Sequence, residues 1–217
     1  MTGTDISQVI LAIEETLYMS FTSLLFAVIF GLVIGTLLYI TQKGSLVPNT
    51  FINRVLDIFV NIFRAVPFII LMILLIPVTK KLVGSMLGAS AAIPSLSIAA
   101  TAFFARMCVI ALNEVDKGTI EASKAMGASR LQIVFKVLLP EAAPAIISGI
   151  ALTGINLIGY TAMAGAIGSG GLGNFAYLYG FVRRNDGLLW SCTAIIVVIV
   201  FIIQFVGDYV SRKIDKR

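Results

Sequence analysis

Long apolar runs separated by short polar segments dominate this chain. A helix that crosses the hydrocarbon core of a bilayer needs about 20 apolar residues, and five runs are long enough. They predict transmembrane helices over residues 17–41, 58–79, 90–112, 142–166 and 188–210. Lipid offers no partner to an unpaired backbone group, and the continuous run IIVVIVFII lacks the alternation of barrel strands. The pattern therefore predicts an all-α polytopic membrane protein with five transmembrane helices, forming one domain over residues 1–217.

The composition excludes a water-soluble domain. Hydrophobic residues make up 59% of the 217 residues and charged residues 12%, whereas soluble domains carry about 25% charged residues. There is no histidine, and Cys108 and Cys192 each lie inside an apolar run without a spaced partner. The sequence therefore predicts no metal site and no disulfide.

Basic residues lie mainly at the ends of apolar runs, where the positive-inside rule places them. The net charge of +5 therefore indicates membrane orientation and not nucleic-acid binding. If the C-terminal tail is cytoplasmic, 12 of the 16 basic residues fall inside, and the N-terminus falls outside. The inside set is Lys43, Arg54, Arg64, Arg106, Lys117, Lys124, Arg130, Lys136, Arg212, Lys213, Lys216 and Arg217. The outside set is Lys80, Lys81, Arg183 and Arg184.

The polar segment at 113–140 separates the third and fourth predicted spans and is amphipathic. Its two halves carry separate faces at helical spacing. The first face comprises Glu121, Lys124, Ala125 and Ala128, and the second comprises Leu131, Val134, Phe135 and Leu138. Gly127 lies between the halves, where a residue without Cβ allows a bend or a close approach of another backbone. Pro140 interrupts the helical hydrogen-bond ladder, which predicts that the chain turns back toward the membrane there.

This segment resembles the EAA loop of ABC-importer permeases, through which a separate ATPase moves the membrane subunit. Glu121, Ala122, Gly127, Leu139 and Pro140 fall on the family's positions, while Ser123 replaces an alanine and Val137 an isoleucine. The resemblance implies a cytoplasmic coupling loop at 113–140 that docks into a groove on the ATPase, with Glu121 facing that groove. The loop residues that it implies are Glu121, Ala122, Ser123, Lys124, Ala125, Met126, Gly127, Ala128, Ser129, Leu139 and Pro140. An ordinary amphipathic cytoplasmic loop is the alternative.

Two arginines fall within or beside predicted spans, where an unpaired charge is costly. Arg64 follows Asp57 by seven residues, which places the two near one helix face, close enough to pair. The alternative for Arg64 is a side chain that extends to the inner interface. Arg106 lies near the inner end of the third span. For both arginines a structural role is favoured over substrate binding.

The fourth predicted span contains polar residues and precedes the glycine-rich run GAIGSGGLGN. Asn156, Tyr160 and Met163 share one helix face, and Thr161 lies beside them. The resemblance implies that this helix lines the translocation pathway and that its outer end contributes to an external gate. Helix–helix packing through small residues is the alternative. In the first span, the Gly31-x-x-x-Gly35 motif favours a close helix crossing for the same reason.

The glycine-rich run lacks the Gly-Lys-Ser/Thr ending of a phosphate-binding loop, and the predicted topology places it outside. We therefore expect no cofactor in this chain. The resemblance implies that ATP and Mg²⁺ are bound by the partner ATPase, so the chain is a transport subunit and not an enzyme.

Over its whole length the chain resembles the permease subunits of D- and L-methionine ABC importers. The likeness rests on the five-span layout, RAVP at 64–67, AFFAR at 102–106, the EAA-like loop and GAIGSGGLGNFAYLYG at 165–180. It implies a multi-pass protein of the bacterial inner membrane that works by alternating access. The implied partners are a second permease in a homodimer, two nucleotide-binding ATPase subunits, an extracytoplasmic substrate-binding protein and the lipid bilayer. The alternatives are a permease for another small amino acid or related solute, a non-transport membrane scaffold and an intramembrane enzyme.

Overall fold

A computed structural model describes residues 3–215 of the chain and the side chains from residue 6 onward. The protein is 86% helical, and no strand occurs within the described range. The helices are α1 Gly3–Ile40, α2 Thr50–Ala65, α3 Phe68–Leu74, α4 Ile76–Val83, α5 Ala89–Asn113, α6 Lys117–Ala125, α7 Arg130–Ile133, α8 Leu139–Glu141, α9 Ala143–Ala164, α10 Gly171–Phe175 and α11 Asp186–Ile214. Segments with π-helical hydrogen bonds lie at Val134–Leu138, Gly165–Ser169 and Ala176–Val182 among the described residues, and the second is kinked at Gly168, whose φ is +98°. Lys216 and Arg217 of the predicted cytoplasmic tail lie outside the described residues.

Four of the five predicted spans correspond to single helices long and apolar enough to cross a membrane, namely α1, α5, α9 and α11. The bounds of α5 agree with the predicted 90–112 to within a residue at each end. α1 differs most, because it begins at Gly3, well before the predicted start at 17, and runs unbroken for 38 residues. At 1.5 Å per residue it is about 57 Å long, which exceeds the roughly 30 Å hydrocarbon core of a bilayer.

The second predicted span, at 58–79, is not one continuous helix. α2 ends at Ala65, and α3 begins after Pro67 at an angle of 107° to α2. Proline has no N–H and disfavours a helical conformation in the residue before it. Val66 is accordingly extended, with φ −73° and ψ 125°. The prediction of one continuous helix was wrong, because hydropathy does not show where the helical hydrogen bonds are interrupted.

The centre of the bundle is a close crossing of α1 and α5, as the Gly31-x-x-x-Gly35 motif predicts. A Cβ atom at Gly35 would lie 2.5 Å from the Cβ of Cys108 and 2.7 Å from the carbonyl oxygen of Ala105. At Gly31 it would lie 2.8 Å from the ring of Phe104. Only hydrogen fits at these two positions, so the small residues allow the two backbones to approach closely.

The helix ends fall into two groups at opposite ends of the bundle. The C-terminal ends of α1 and α5 share a buried cluster with residues 120–142, and the C-terminal part of α11 bonds the first turn of α9 through Ser211. At the other end, the N-terminal half of α1 contacts α10 and the first turns of α11. The two ends of the described chain therefore lie at opposite ends of the bundle, as an odd number of spans requires.

Candidate functional site

The segment between α5 and α9 folds into two helices joined by a tight turn. Asp116 begins α6, because its carboxylate accepts a 2.7 Å hydrogen bond from the Gly118 N–H. Gly127 ends the first half with φ +81°, a left-handed conformation that favours glycine. Ser129 then begins α7 in a reciprocal cap with Gln132, in which the Ser129 N–H donates to Gln132 Oε1 at 2.8 Å. The predicted bend at Gly127 is present.

One side of this two-helix segment is anchored in the protein. Ile120 of α6 and Ile133 of α7 are buried, as are Val134 and Leu138 after α7. They pack in one cluster with the ends of α1 and α5, in which Leu112 is fully buried. The segment is therefore packed firmly against the ends of α1, α5 and α9.

The other side of the segment is exposed. The predicted loop residues Glu121, Ala122, Lys124 and Ala125 all face outward, and Met126 is 80% exposed at the tip. Most of the predicted docking face is thus displayed on α6. Ala128 is the exception, because α6 ends at Ala125 and the left-handed Gly127 redirects the chain. Ala128 is half-buried against the anchoring cluster instead of continuing the Glu121 face.

The second predicted face is divided by the structure. Val134 and Leu138 are buried, whereas Leu131 and Phe135 are 70% and 65% exposed. The two exposed side chains are four residues apart, so they lie on one side of the helix. An apolar side chain exposed to this degree on a polar segment indicates a surface that another protein can cover. We define the docking surface as Glu121, Ala122, Ala125, Met126 and Leu131.

Ser123, Ser129 and Pro140 have local structural roles. Ser123 is buried and its hydroxyl donates to the Thr119 carbonyl at 2.8 Å, while Ser129 forms the cap described above.

The prediction that the chain turns at Pro140 is wrong. Leu139 and Pro140 lie in α8 within a nearly continuous helical path from Arg130 to Ala164, interrupted by a single turn residue at Ala142. The π-helical segment Val134–Leu138 ends two residues before Pro140, and its wider ladder accommodates a residue that lacks an N–H.

The two arginines have different environments. The possible pair between Arg64 and Asp57 does not form, and Arg64 is exposed in the last turn of α2. Asp57 is bound instead by Arg106 of α5, whose Nη2 lies 3.0 Å from Asp57 Oδ1 and 2.8 Å from Asn61 Oδ1. Asn61 also donates to Asp57 Oδ2 at 2.9 Å. Arg106 therefore joins α2 to α5, a structural role that sequence spacing could not assign because the partners are 45 and 49 residues away.

The polar side chains of α9 do not all face the same way. Asn156 and Tyr160 are half-buried and Met163 is 45% exposed, so the predicted shared face lies open on the surface of this chain. Thr161 is buried, and its hydroxyl donates to the Ile158 carbonyl at 2.8 Å. It belongs to the core of the bundle and not to the open face. Tyr160 stacks on Phe68 at 4.7 Å between ring centroids, which connects the open face to the residue that follows the Pro67 bend.

Sequence reasoning missed a clamp at the opposite end of the bundle. The Gly171 N–H donates to Glu15 Oε2 at 2.6 Å, and the Leu172 N–H donates to Thr16 Oγ1 at 2.8 Å. These contacts hold the glycine-rich segment against α1 over 156 residues of sequence. The sequence did contain a signal for this contact. Glu15 is a carboxylate at the edge of an apolar run, and such a group needs a polar partner.

These features define two surfaces on the protein. Within residues 3–215, no three His, Cys, Asp or Glu side chains are grouped so that they could hold a metal ion. The chain instead offers an anchored docking surface at one end and an open helix face along α9.

Comparison with known proteins gives consistent matches over nearly the whole chain. It is 54% identical over 213 residues to the methionine import system permease protein MetP of Bacillus subtilis, covering 98% of this chain and 96% of that protein. It is 44% identical to the D-methionine transport system permease protein MetI of Escherichia coli K12, covering 94% of each. A solved structure of the MetNI methionine ABC transporter in inward-facing conformations contains a chain that matches with a TM-score of 0.97 at 42% identity, covering 100% of both chains. The resemblance stated from the sequence is confirmed.

The family model for binding-protein-dependent transport system inner membrane components matches residues 27–216. This range includes α5, the two-helix segment, α9 and α11, and therefore both candidate sites. The match, together with the near full-length relatives, confirms an all-α multi-pass protein of the inner membrane. The chain belongs to the family of binding-protein-dependent transport system inner membrane components.

Proposed function

We propose that this chain is the membrane-spanning permease subunit of an ATP-driven methionine importer. Its relatives are permease subunits of methionine import systems and match it over nearly the full length of both chains. Substrate class follows from this likeness and not from an individual side chain.

The observation that carries the proposal is the anchored docking surface. Its outward side displays Glu121, Ala122, Ala125, Met126 and Leu131, while Ile120, Ile133, Val134 and Leu138 attach its inward side to the ends of α1, α5 and α9. A surface that is free on one side and packed on the other can transmit a displacement into the spans. An amphipathic loop without a coupling role would not need apolar residues displayed on its outer side.

In the complex that we propose, two copies of this permease associate with two ATPase subunits, which bind ATP and Mg²⁺, and with an extracytoplasmic substrate-binding protein. The docking surface and the C-terminus face the cytoplasm, and the N-terminus faces outside. The distribution of charge supports this orientation, because Lys43, Lys117, Lys124, Arg130 and Lys213 lie at the docking end of the bundle.

Transport follows from alternating access. Closure of the ATPase pair around ATP would draw the two docking surfaces together, and the displacement would pass to α9 through the helical path from Arg130 to Ala164. The open face of α9, with Asn156, Tyr160 and Met163, would then be exposed to the other side of the membrane. Each state opens the pathway to one side, and ATP binding shifts the population between the states.

Two alternatives make different predictions. A permease for another small amino acid or related solute would couple ATP turnover to that solute and not to methionine. A non-transport scaffold would bind no ATPase and would have no need for polar side chains along α9. Competition among amino acids for uptake into proteoliposomes distinguishes the first, and co-purification of a nucleotide-binding subunit distinguishes the second.

The charge reversal Glu121→Lys tests the docking surface directly. We expect the variant chain to insert and fold normally but to lose ATPase association and methionine-dependent ATP turnover in the reconstituted complex. Glu121 is exposed, so the substitution should leave the core unchanged. Glu14→Lys is the matched control. Glu14 is also exposed, but it lies in the N-terminal half of α1, toward the end of the bundle away from the docking surface. Normal association and transport by the Glu121→Lys complex would contradict the proposed coupling role.

A further inference from the structure

A cavity lies beside the docking surface and shares Glu121 with it. It is a cleft of about 360 Å³ between the loop that follows α1 and one side of α6. Tyr39 and Asn113 line its inner part, and they belong to the last turns of α1 and α5. Because α1 and α5 both end here, the cleft lies at the end of the bundle where we place the cytoplasmic headgroups of the bilayer.

The cleft is basic. Lys43 of the loop and Lys117 and Lys124 of α6 line it, against the single carboxylate of Glu121. Lys117, Glu121 and Lys124 lie at i, i+4 and i+7, which places them along one side of α6, and Glu121 belongs both to this side and to the docking surface. Among the described residues, no carboxylate oxygen lies within 4.0 Å of any of these three ammonium groups. The net charge of this lining is therefore +2, and its cations have no ion-pair partner among the residues that the structure describes.

An exposed apolar face lies on α2, which begins four residues after Leu46, a loop residue that lines the cleft. Helix α2 begins directly after the loop, and Phe51 in its first turn is 78% exposed. Val55 and Ile62 on the same side of α2 are 50% and 54% exposed. The opposite side carries Asp57 and Asn61, which are bound to Arg106. A cationic cleft close in sequence to an exposed apolar helix face matches a molecule with an anionic head and an apolar chain.

We propose that this cleft binds the phosphate headgroup of an anionic phospholipid, with the acyl chains along the exposed face of α2. Phosphate is the shared chemistry of a lipid headgroup and a soluble phosphate, and the apolar face of α2 favours the lipid. Basic pockets between helix ends are suited to anionic headgroups, and each interfacial lysine strengthens that attraction. The inference requires only that the chain spans a membrane and is independent of the proposed substrate.

The test uses the full-length chain, purified in detergent with any subunits that remain bound to it. Native mass spectrometry measures how much phosphatidylglycerol is retained relative to phosphatidylcholine in the unaltered chain and in Lys43→Gln/Lys117→Gln. We expect retention of phosphatidylglycerol to fall about fivefold for each lysine removed, the ratio that corresponds to about 1 kcal/mol. The matched control is Lys80→Gln/Lys81→Gln, which removes two exposed lysines from α4 and should leave retention unchanged. Lys43→Arg/Lys117→Arg should also retain the lipid, because it keeps the charge.

Three results would overturn the proposal. Equal retention by the double glutamine variant and its control would show that the cleft does not select the lipid. Displacement of the lipid by inorganic phosphate at equal concentration would assign the cleft to a soluble phosphate. Loss of a bound protein subunit from the Lys43→Gln/Lys117→Gln chain in phosphatidylcholine alone, with lipid retention unchanged, would assign the cleft to a protein contact.

Discussion

Helices α5 and α11 are both long and apolar, but they occupy opposite environments. In the apolar stretch of α5, 61% of the residues are buried inside the protein, whereas α11, the more apolar of the two, has 6% buried. A water-soluble protein would show the reverse order, because its most apolar helix would form the core. Here lipid surrounds the bundle, so the most apolar helix can remain at the outside.

The buried residues of the two helices explain the difference. The buried set of α5 is rich in alanine and includes Ser95, Phe104 and Cys108, while the buried set of α11 is Leu188, Cys192 and Gly207. Without a hydrophobic difference between lipid and protein, association depends on close contact and on hydrogen bonds. Small residues therefore mark the centre of this bundle, and bulky apolar residues mark its boundary with lipid.

The strongest test of this contrast is Gly35→Leu at the α1–α5 crossing. The added side chain would begin 2.5 Å from Cys108 Cβ, with backbone atoms of Ala105 close by. We expect destabilisation of at least about 3 kcal/mol, the upper part of the range for overpacking, because neither central helix can move away. The measurement is thermal unfolding of the purified chain in detergent, followed by size-exclusion chromatography.

Gly207→Leu provides the counterpart on α11, where a Cβ would clash with Ala151. Its effect should be smaller, because α11 can shift toward lipid. Val206→Leu on the lipid-facing side should change nothing, since Val206 is 53% exposed. Equal destabilisation by the two glycine variants would mean that α11 is held as tightly as α5. That result would contradict the proposed difference between the two helices.

A smaller effect is expected from Arg106→Ala, which removes the charged contact that α5 makes with α2. The variant removes the bonds from Arg106 to Asp57 and Asn61 and leaves only the bond from Asn61 to Asp57. We expect a loss of about 1–2 kcal/mol, below the range for a fully buried pair because the Asp57 side chain is 42% exposed. A double-mutant cycle with Asp57→Ala measures the coupling, and Arg64→Ala is the control because Arg64 is exposed. Additive effects of Arg106→Ala and Asp57→Ala would show that the contact contributes no stability.

The smallest effect concerns the hydrogen bonds between α9 and α11. Ser211 donates to the Pro144 carbonyl at 2.9 Å and accepts from Ser148 at 3.0 Å. Ser211→Ala should cost about 0.6 kcal/mol, the average for interhelical hydrogen bonds in membranes. Ser191→Ala is the matched control on the same helix, because that hydroxyl bonds the Gly187 carbonyl within α11. A loss above about 2 kcal/mol, measured by unfolding in detergent, would mean that α11 depends on polar contacts far more than its exposure suggests.

The exposure of some residues of the docking segment could be predicted from the sequence, and that of others could not. Glu121 and Ala122 are exposed as expected, because local helical spacing places them on the free side of α6. Ala128 could not be assigned, since its direction depends on the left-handed backbone at Gly127. The exposure of Leu131 and Phe135 beside buried Val134 and Leu138 depended on the position of α1 and α5 beneath the segment. Helical spacing describes which residues share a side, but not which side the rest of the protein covers.

The amino-acid sequence by itself determined that the chain is helical, spans a membrane several times, carries a polar segment before its fourth span and belongs with importer permeases. These properties follow from composition, run length and short motifs, which are local. Only the tertiary structure decided the partner of Arg106, the burial of Thr161, the clamp of Glu15 and Thr16 on the glycine-rich segment, and the basic cleft beside α6. Apart from the Thr161 bond, these features join residues far apart in the chain, or elements that meet only once the helices have packed. Packing in lipid is decided by close contact and hydrogen-bond geometry, which hydropathy does not encode.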